Sequence, residues 1–226
     1  MRKSVIYLVP TLFILVSVWI YGTTAMAIEE PSYEVIEKSE QFEIRHYAPV
    51  IVAEVIVDGD MSTASSQGFR LIAGYIFGKN SKITQEQVTS RTSPSEGAQS
   101  THTSEKIAMT VPVTVEPQGT LSPDFETAKV WRVQFTMPKQ FTLDTLPIPS
   151  DPAVKLRQIP GKRFAAMQYT GLNGEEKVSE KATLLLSWLA TKNITPLGPP
   201  QLARYNPPWS LPFLRRNEIL VEIAGS

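Results

Sequence analysis

The chain has 226 residues, with 22 basic and 22 acidic side chains, two histidines and no cysteine. The lack of cysteine excludes disulfides, thiolate-bound metal and covalent haem attachment through a C-x-x-C-H motif. An even charge balance argues against nucleic acid as a partner, because that binding rests on clustered Lys and Arg.

Arg2 and Lys3 make a short positive region, an apolar run follows from Val5 to Tyr21, and Ala25-Met26-Ala27 supplies a small-x-small pattern. This layout predicts a signal peptide over residues 1–27, cleaved after Ala27, and a protein exported to the periplasm or cell envelope. The alternative is an uncleaved N-terminal anchor. Pro10 interrupts the run, which falls slightly short of the roughly 20 residues of a spanning helix. Residues 28–226 then form a single domain with no membrane span of its own, long enough to bury a core without staples.

Tyr33 to Lys38 and the long run Phe42 to Val57 read as strands around a polar turn at Ser39-Glu40-Gln41. A helix follows, capped by Asp60 or Ser62 and closed by Gly78. Lys79 to Thr103 is rich in Ser, Thr and Gln and reads as a long polar loop with a short strand near Val88. Ile107 to Val115 and Val130 to Met137 are strands. Val154 to Ile159 and Phe164 to Tyr169 are strands around Pro160-Gly161. Asn173, with Glu176 in capping-box position, starts a second helix that runs to about Lys192. Strands around Leu202 to Tyr205 and Glu218 to Ile223 close the chain. The halves, about 32–137 and 154–223, repeat the order strand, strand, helix, strand, strand. Duplicated antiparallel units can close into a barrel with no free sheet edge.

The second helix carries one apolar stripe, Val178, Ala182, Leu185, Leu186 and Leu189. The first carries two: Phe69, Ile72, Ala73, Ile76 and Gly68, Leu71, Ile72, Tyr75, with Arg70 its only charge. One face can pack on the barrel. The other needs a loop, a partner chain or a flat apolar ligand.

The segments Tyr33-Glu34-Val35 to Phe42-Glu43-Ile44-Arg45-His46-Tyr47-Ala48-Pro49, Gly68-Phe69-Arg70 to Lys79-Asn80, Lys106-Ile107-Ala108-Met109-Thr110-Val111-Pro112-Val113, Phe135-Thr136-Met137-Pro138, and Arg204-Tyr205-Asn206-Pro207-Pro208 with Arg215-Arg216-Asn217-Glu218-Ile219 resemble, in order, the SOUL/haem-binding protein family. The resemblance implies an α+β fold: a distorted antiparallel β-barrel of two βαββ-type repeats flanked by two α-helices. It also implies a cleft beside the first helix that binds haem or another tetrapyrrole non-covalently. Helix pattern and resemblance converge on Phe69, Arg70, Ala73 and Tyr75 as cleft residues, and Met109 joins them from its strand. Three departures stand out: Arg70 is the first helix's only base where some relatives carry more, the loop from Ser81 to Glu105 is longer than in the family's short members, and Arg204 stands where relatives often have Gly.

His46 matches the histidine proposed as axial iron ligand in this family and shares a strand face with Phe42 and Ile44. A histidine on a strand that only hydrogen-bonds within the fold is the plain alternative. His102 falls in the polar loop. No nucleophile elbow, H-E-x-x-H or Gly-rich phosphate loop is present, so a binding protein is expected and not an enzyme. The rival reading is an interaction or small-molecule sensing module that uses the same cleft for a different amphipathic ligand.

Overall fold

The computed structural model describes residues 28–82, 103–119 and 125–225. The expected leader, the strand near Val88 and His102 lie outside these residues. In chain order the elements are β1 (Tyr33–Ser39), β2 (Phe42–Tyr47), β3 (Val50–Asp58), α1 (Met61–Ile76), β4 (Asn80–Ser81), β5 (Val113–Pro117), β6 (Val130–Thr136), β7 (Ile148–Pro149), β8 (Lys155–Ile159), β9 (Lys162–Thr170), α2 (Glu175–Thr191), β10 (Gln201–Arg204) and β11 (Arg216–Ile223), with a 3-10 turn at Pro212–Leu214.

Nine strands form one antiparallel sheet in the order β1-β2-β9-β11-β10-β5-β6-β3-β8, and β4 pairs with β7 apart from it. Read outwards from the β5–β10 seam, the order is symmetric. One side runs β5, β6, β3 and the other β10, β11, β9. Each side is completed by the strand that precedes the βαββ unit of the opposite half, β8 beside β3 and β2 beside β9, with β1 beyond β2. The fold is therefore α+β, a distorted half-barrel of two βαββ repeats that have exchanged the strands preceding them. The sheet curls without closing, so β1 and β8 keep free edges. Glu34, Glu37 and Lys38 put charge on the β1 edge, which discourages pairing with another chain.

The curl has a local cause. The apolar run of residues 42–57 breaks at Ala48-Pro49, where proline ends the ladder. At Gly161 an added Cβ would lie 3.1 Å from the Tyr47 carbonyl oxygen and 3.5 Å from His46 Nε2. The β2–β3 bend thus rests on the β8–β9 turn, which draws the outer strands of the two halves together.

Strand alternation sorts the two faces. Ala53, Val55 and Val57 of β3, Trp131, Val133 and Phe135 of β6, and Ile219, Val221 and Ile223 of β11 join the helices in one core. On this face α1 packs on β3 and β6, and α2 on β9 and β11. Contact is close at Gly68, where a Cβ would fall 2.5 Å from Val133 Cγ2. Asp60 caps α1 by accepting from the Thr63 amide at 2.7 Å. Among the described residues no helix is long and apolar enough to cross a membrane.

Two expectations differ from the structure. Asn173 does not cap α2, whose N-cap is Gly174 with no side-chain cap bond. Its amide instead accepts from the Tyr169 hydroxyl and donates to Asn217, both at 2.8 Å. The strand expected over Ile107–Val115 begins only at Val113. Before it the chain lies against the end of α1, with the Ile107 amide donating to the Ile76 carbonyl at 2.8 Å.

Candidate functional site

The sheet face away from the helices is concave and polar on the β3–β6 side. Glu54 of β3 accepts from Arg157 Nη2 at 2.7 Å and from Gln134 Nε2 at 2.7 Å. Burial works to raise the Glu54 carboxyl, but the hydrogen bonds from Arg157 and Gln134 outweigh it and hold it below the usual carboxylate range. Arg132 donates to Glu116 at 2.8 Å, and Lys162 to Glu222 at 2.6 Å. One donor is left over: Arg132 Nε is buried with no hydrogen-bond partner, and the Glu54 carboxylate lies 3.7 Å from it.

This face forms a trough, and a second compartment opens beside it at the end of β3 and β6. The smaller, about 190 Å³, is walled by Val52, Phe164 and Leu220 and by Arg132, Arg157 and Lys162. The larger, about 560 Å³, is walled by Leu143 and Lys139 and by Ile51, Met137 and Phe141, which also pack against the helix-side core. Its volume lies within the range of roughly 300–1,000 Å³ typical of small-molecule sites. Both share Pro31, Ala48, Val50 and Thr136. Residues 28–32 form a strap between them. Val111 and Lys139 amides donate to the Glu29 carbonyl and carboxylate at 3.0 and 2.9 Å, and Arg216 Nη1 donates to Glu30 at 3.1 Å.

The matching place in the second half is filled. From the seam outwards, Thr114 pairs with Gln134 and Ala203 with Glu218, so Gln134 and Glu218 are symmetry-related. Glu218 is fully buried and accepts from Arg45, Arg216 and the Tyr205 hydroxyl. The Arg45 guanidinium stacks on Tyr33, 4.4 Å from the ring centroid, and Arg216 on Tyr205 at 3.7 Å. Arg45 also donates to the Tyr47 hydroxyl at 3.0 Å. Burial pushes the Tyr47 phenol up to about 12 although Arg45 pulls it down. Tyr47, on the trough wall, therefore stays a neutral phenol at ordinary pH.

The residues singled out in the sequence are placed apart from one another. Phe69, half-buried, packs on Phe135 with ring centroids 5.4 Å apart. Ala73 and Tyr75 are buried, and the Tyr75 hydroxyl donates to the Pro147 carbonyl at 2.9 Å. Asn80 ties the end of α1 to Glu105. The second apolar face of α1 is thus covered by the segments around Glu105–Ile107 and Leu146–Pro147. Arg70 is exposed, and Met109 packs half-buried against the core. His46 is exposed on β2, in the half packed by α2, while the other candidates accompany α1. Its imidazole lies beside Gly161 at the β8–β9 turn and lines neither compartment. Arg132, Arg157, Lys162 and Lys139 carried no signal in the sequence, because their convergence depends on the exchange of β8 and β2.

A duplicated half-barrel whose trough combines apolar walls with three charge pairs has the form of a ligand-binding domain. The SOUL heme-binding protein family matches residues 28–222, and the chain belongs to that family. No curated protein sequence matches the chain. The fold is similar to the EcmrR C-terminal domain at 10% identity and a TM-score of 0.56, covering 86% of this chain and 99% of that one. It is also similar to an uncharacterized conserved protein from Listeria innocua (12% identity, TM-score 0.52, 82% and 93% covered). A hydrolase from the same organism gives 12% identity and a TM-score of 0.51, with 84% and 94% covered. At these identities the likeness is one of fold.

Proposed function

We propose that the protein binds a tetrapyrrole, haem above all, non-covalently in this trough, as a carrier, buffer or scavenger in the cell envelope and without turning it over. The observation that supports the reading is the adjacency of a compartment with apolar walls and one bearing Arg132, Arg157 and Lys162, each paired with a glutamate, where Arg132 Nε still lacks a hydrogen bond. A tetrapyrrole has the matching halves, a flat apolar ring and carboxylates. Ile51, Met137, Phe141 and Leu143 would hold the ring, while Arg132, Arg157 and Lys162 would take the carboxylates. Bound haem would supply an iron centre. His46, next in the chain to the trough-lining Tyr47 but outside both compartments, is the side chain we assign to ligate it, and the neutral Tyr47 phenol is a poor ligand. Export is supported by Arg2, Lys3, the apolar run and Ala25-Met26-Ala27.

Haem added to the chain from Ile28 onward should give a saturable Soret shift near one equivalent. Binding no tighter than that of an unrelated protein with an apolar cleft overturns the reading, and so does turnover of haem under reductant. A second reading has its own observation: Glu54, Glu116 and Glu222 also stand on this face, and they suit a cationic amphiphile. Mass spectrometry of ligands retained on purification separates the two.

A further inference from the structure

We propose that the loop from Asn206 to Leu214 docks the protein on a lipid bilayer whose surface carries anionic headgroups. The loop holds the three most exposed large apolar side chains among the described residues, Trp209 at 83%, Phe213 at 68% and Leu214 at 62%, with Leu211 at 55%. Leu172 adds to the patch at 57%, since the amide of its neighbour Gly171 donates to the Arg215 carbonyl. Scattered exposed apolar residues need no explanation, but a contiguous patch around one protruding tip does.

Two further features select lipid over water or a protein groove. First, the loop's backbone is partly sealed. Pro207, Pro208 and Pro212 have no N–H, and the Ser210, Leu214 and Arg215 amides bond within the loop. Asn206 accepts from the Arg216 amide at 2.7 Å. The remaining amides sit at the depth of lipid headgroups and water, where they can be satisfied. Second, the charge changes abruptly at the base. Positions 205–214 carry no charged residue, and Arg215 and Lys177 flank the patch. Arg215 donates to the Ser210 and Pro208 carbonyls and Lys177 to that of Thr170; among the described residues neither forms a salt bridge. An apolar tip bearing tryptophan above a cationic base is the arrangement of interfacial anchors, with each base near an anionic surface adding about 1 kcal/mol.

The test uses the chain from Ile28, because all the described strands pair among themselves within it. It is mixed with vesicles of phosphatidylcholine alone or with phosphatidylglycerol. Expected are co-sedimentation that is stronger on the anionic vesicles and a blue shift of Trp209 emission. Both should be lost in a W209S/F213S variant whose haem titration is unchanged. That titration separates this proposal from the tetrapyrrole reading, since neither residue lines the trough. Absence of vesicle binding by the parent overturns the proposal, as does equal binding by the double variant. A concentration-dependent dimer that needs Trp209 and Phe213, without vesicle binding, assigns the patch to a second copy and also overturns it.

Discussion

Arg45, on an exchanged strand, forks onto Glu218 of the last strand, 173 residues away, with bonds of 2.7 and 3.2 Å. Arg45 is 3% exposed and Glu218 not at all, so the buried carboxylate depends on its bases. Replacement by E218Q leaves the buried Arg45 with the Glu43 carboxylate alone and the half-buried Arg216 with the Glu30 carboxylate alone. The expected loss is about 3–5 kcal/mol of unfolding free energy, read as a lower denaturant midpoint with an unchanged slope. A change of less than about 1 kcal/mol would mean that the pair is hydrated in solution.

Gly68 is where α1 approaches β6. The G68A side chain would meet Val133 at 2.5 Å, and overpacking of this kind costs about 1–3 kcal/mol. Thermal unfolding monitored by circular dichroism checks it. An unchanged midpoint would show that the helix can lift from the sheet without cost.

Stability should fall at both pH extremes, for opposite reasons. The Glu54 carboxyl is held below its ordinary 4.5 in the fold. Its contribution is therefore present above that pH and lost as acid protonates it. The Tyr47 phenol is raised from 10.0 to about 12. Its contribution is complete below 10.0 and disappears as pH rises through about 12. E54Q should flatten the acid limb of a stability profile and Y47F part of the alkaline limb. Burial also raises Tyr75, Tyr169 and Tyr205, so the alkaline limb is shared.

Ligand contacts divide between iron and carboxylate. H46A should change the haem coordination spectrum and leave the affinity for iron-free porphyrin intact. An unchanged spectrum removes His46 as a ligand. K162A removes one partly exposed cation from the trough and should weaken binding of both ligands by about 1 kcal/mol, roughly fivefold in Kd. Equal affinities in the parent and K162A would place the carboxylates elsewhere.

Most of the architecture was legible in the chain, because α2's single stripe, the Asp60 cap and the strand alternation are local signals. The repeat of element order was legible as well. The exchange of β2 and β8 was not, since register between distant strands leaves no local trace. That omission explains the site. The two stripes of α1 are real, yet both are covered by protein, through Phe135 and Val133 on one side and Pro147 and Ile107 on the other. Arg132 and Arg157 look like ordinary strand surface until the curled sheet turns them inward. Asn173 was misread because a capping residue and a half-buried amide that bridges two strands carry the same side chain.

The exchanged strands also bear on how such a chain is completed. Cut between β7 and β8, the first fragment keeps β3 but lacks the strand that covers its edge, and the second keeps β9 without β2. The two pieces are obligate complements, and a lone repeat could finish its sheet only against another copy of itself. The seam between β5 and β10 is thus the dyad of a strand-swapped dimer, contained in one polypeptide. With both copies in one chain, one half was free to fill its concave face with Arg45, Glu218 and Tyr205 while the other kept its face open.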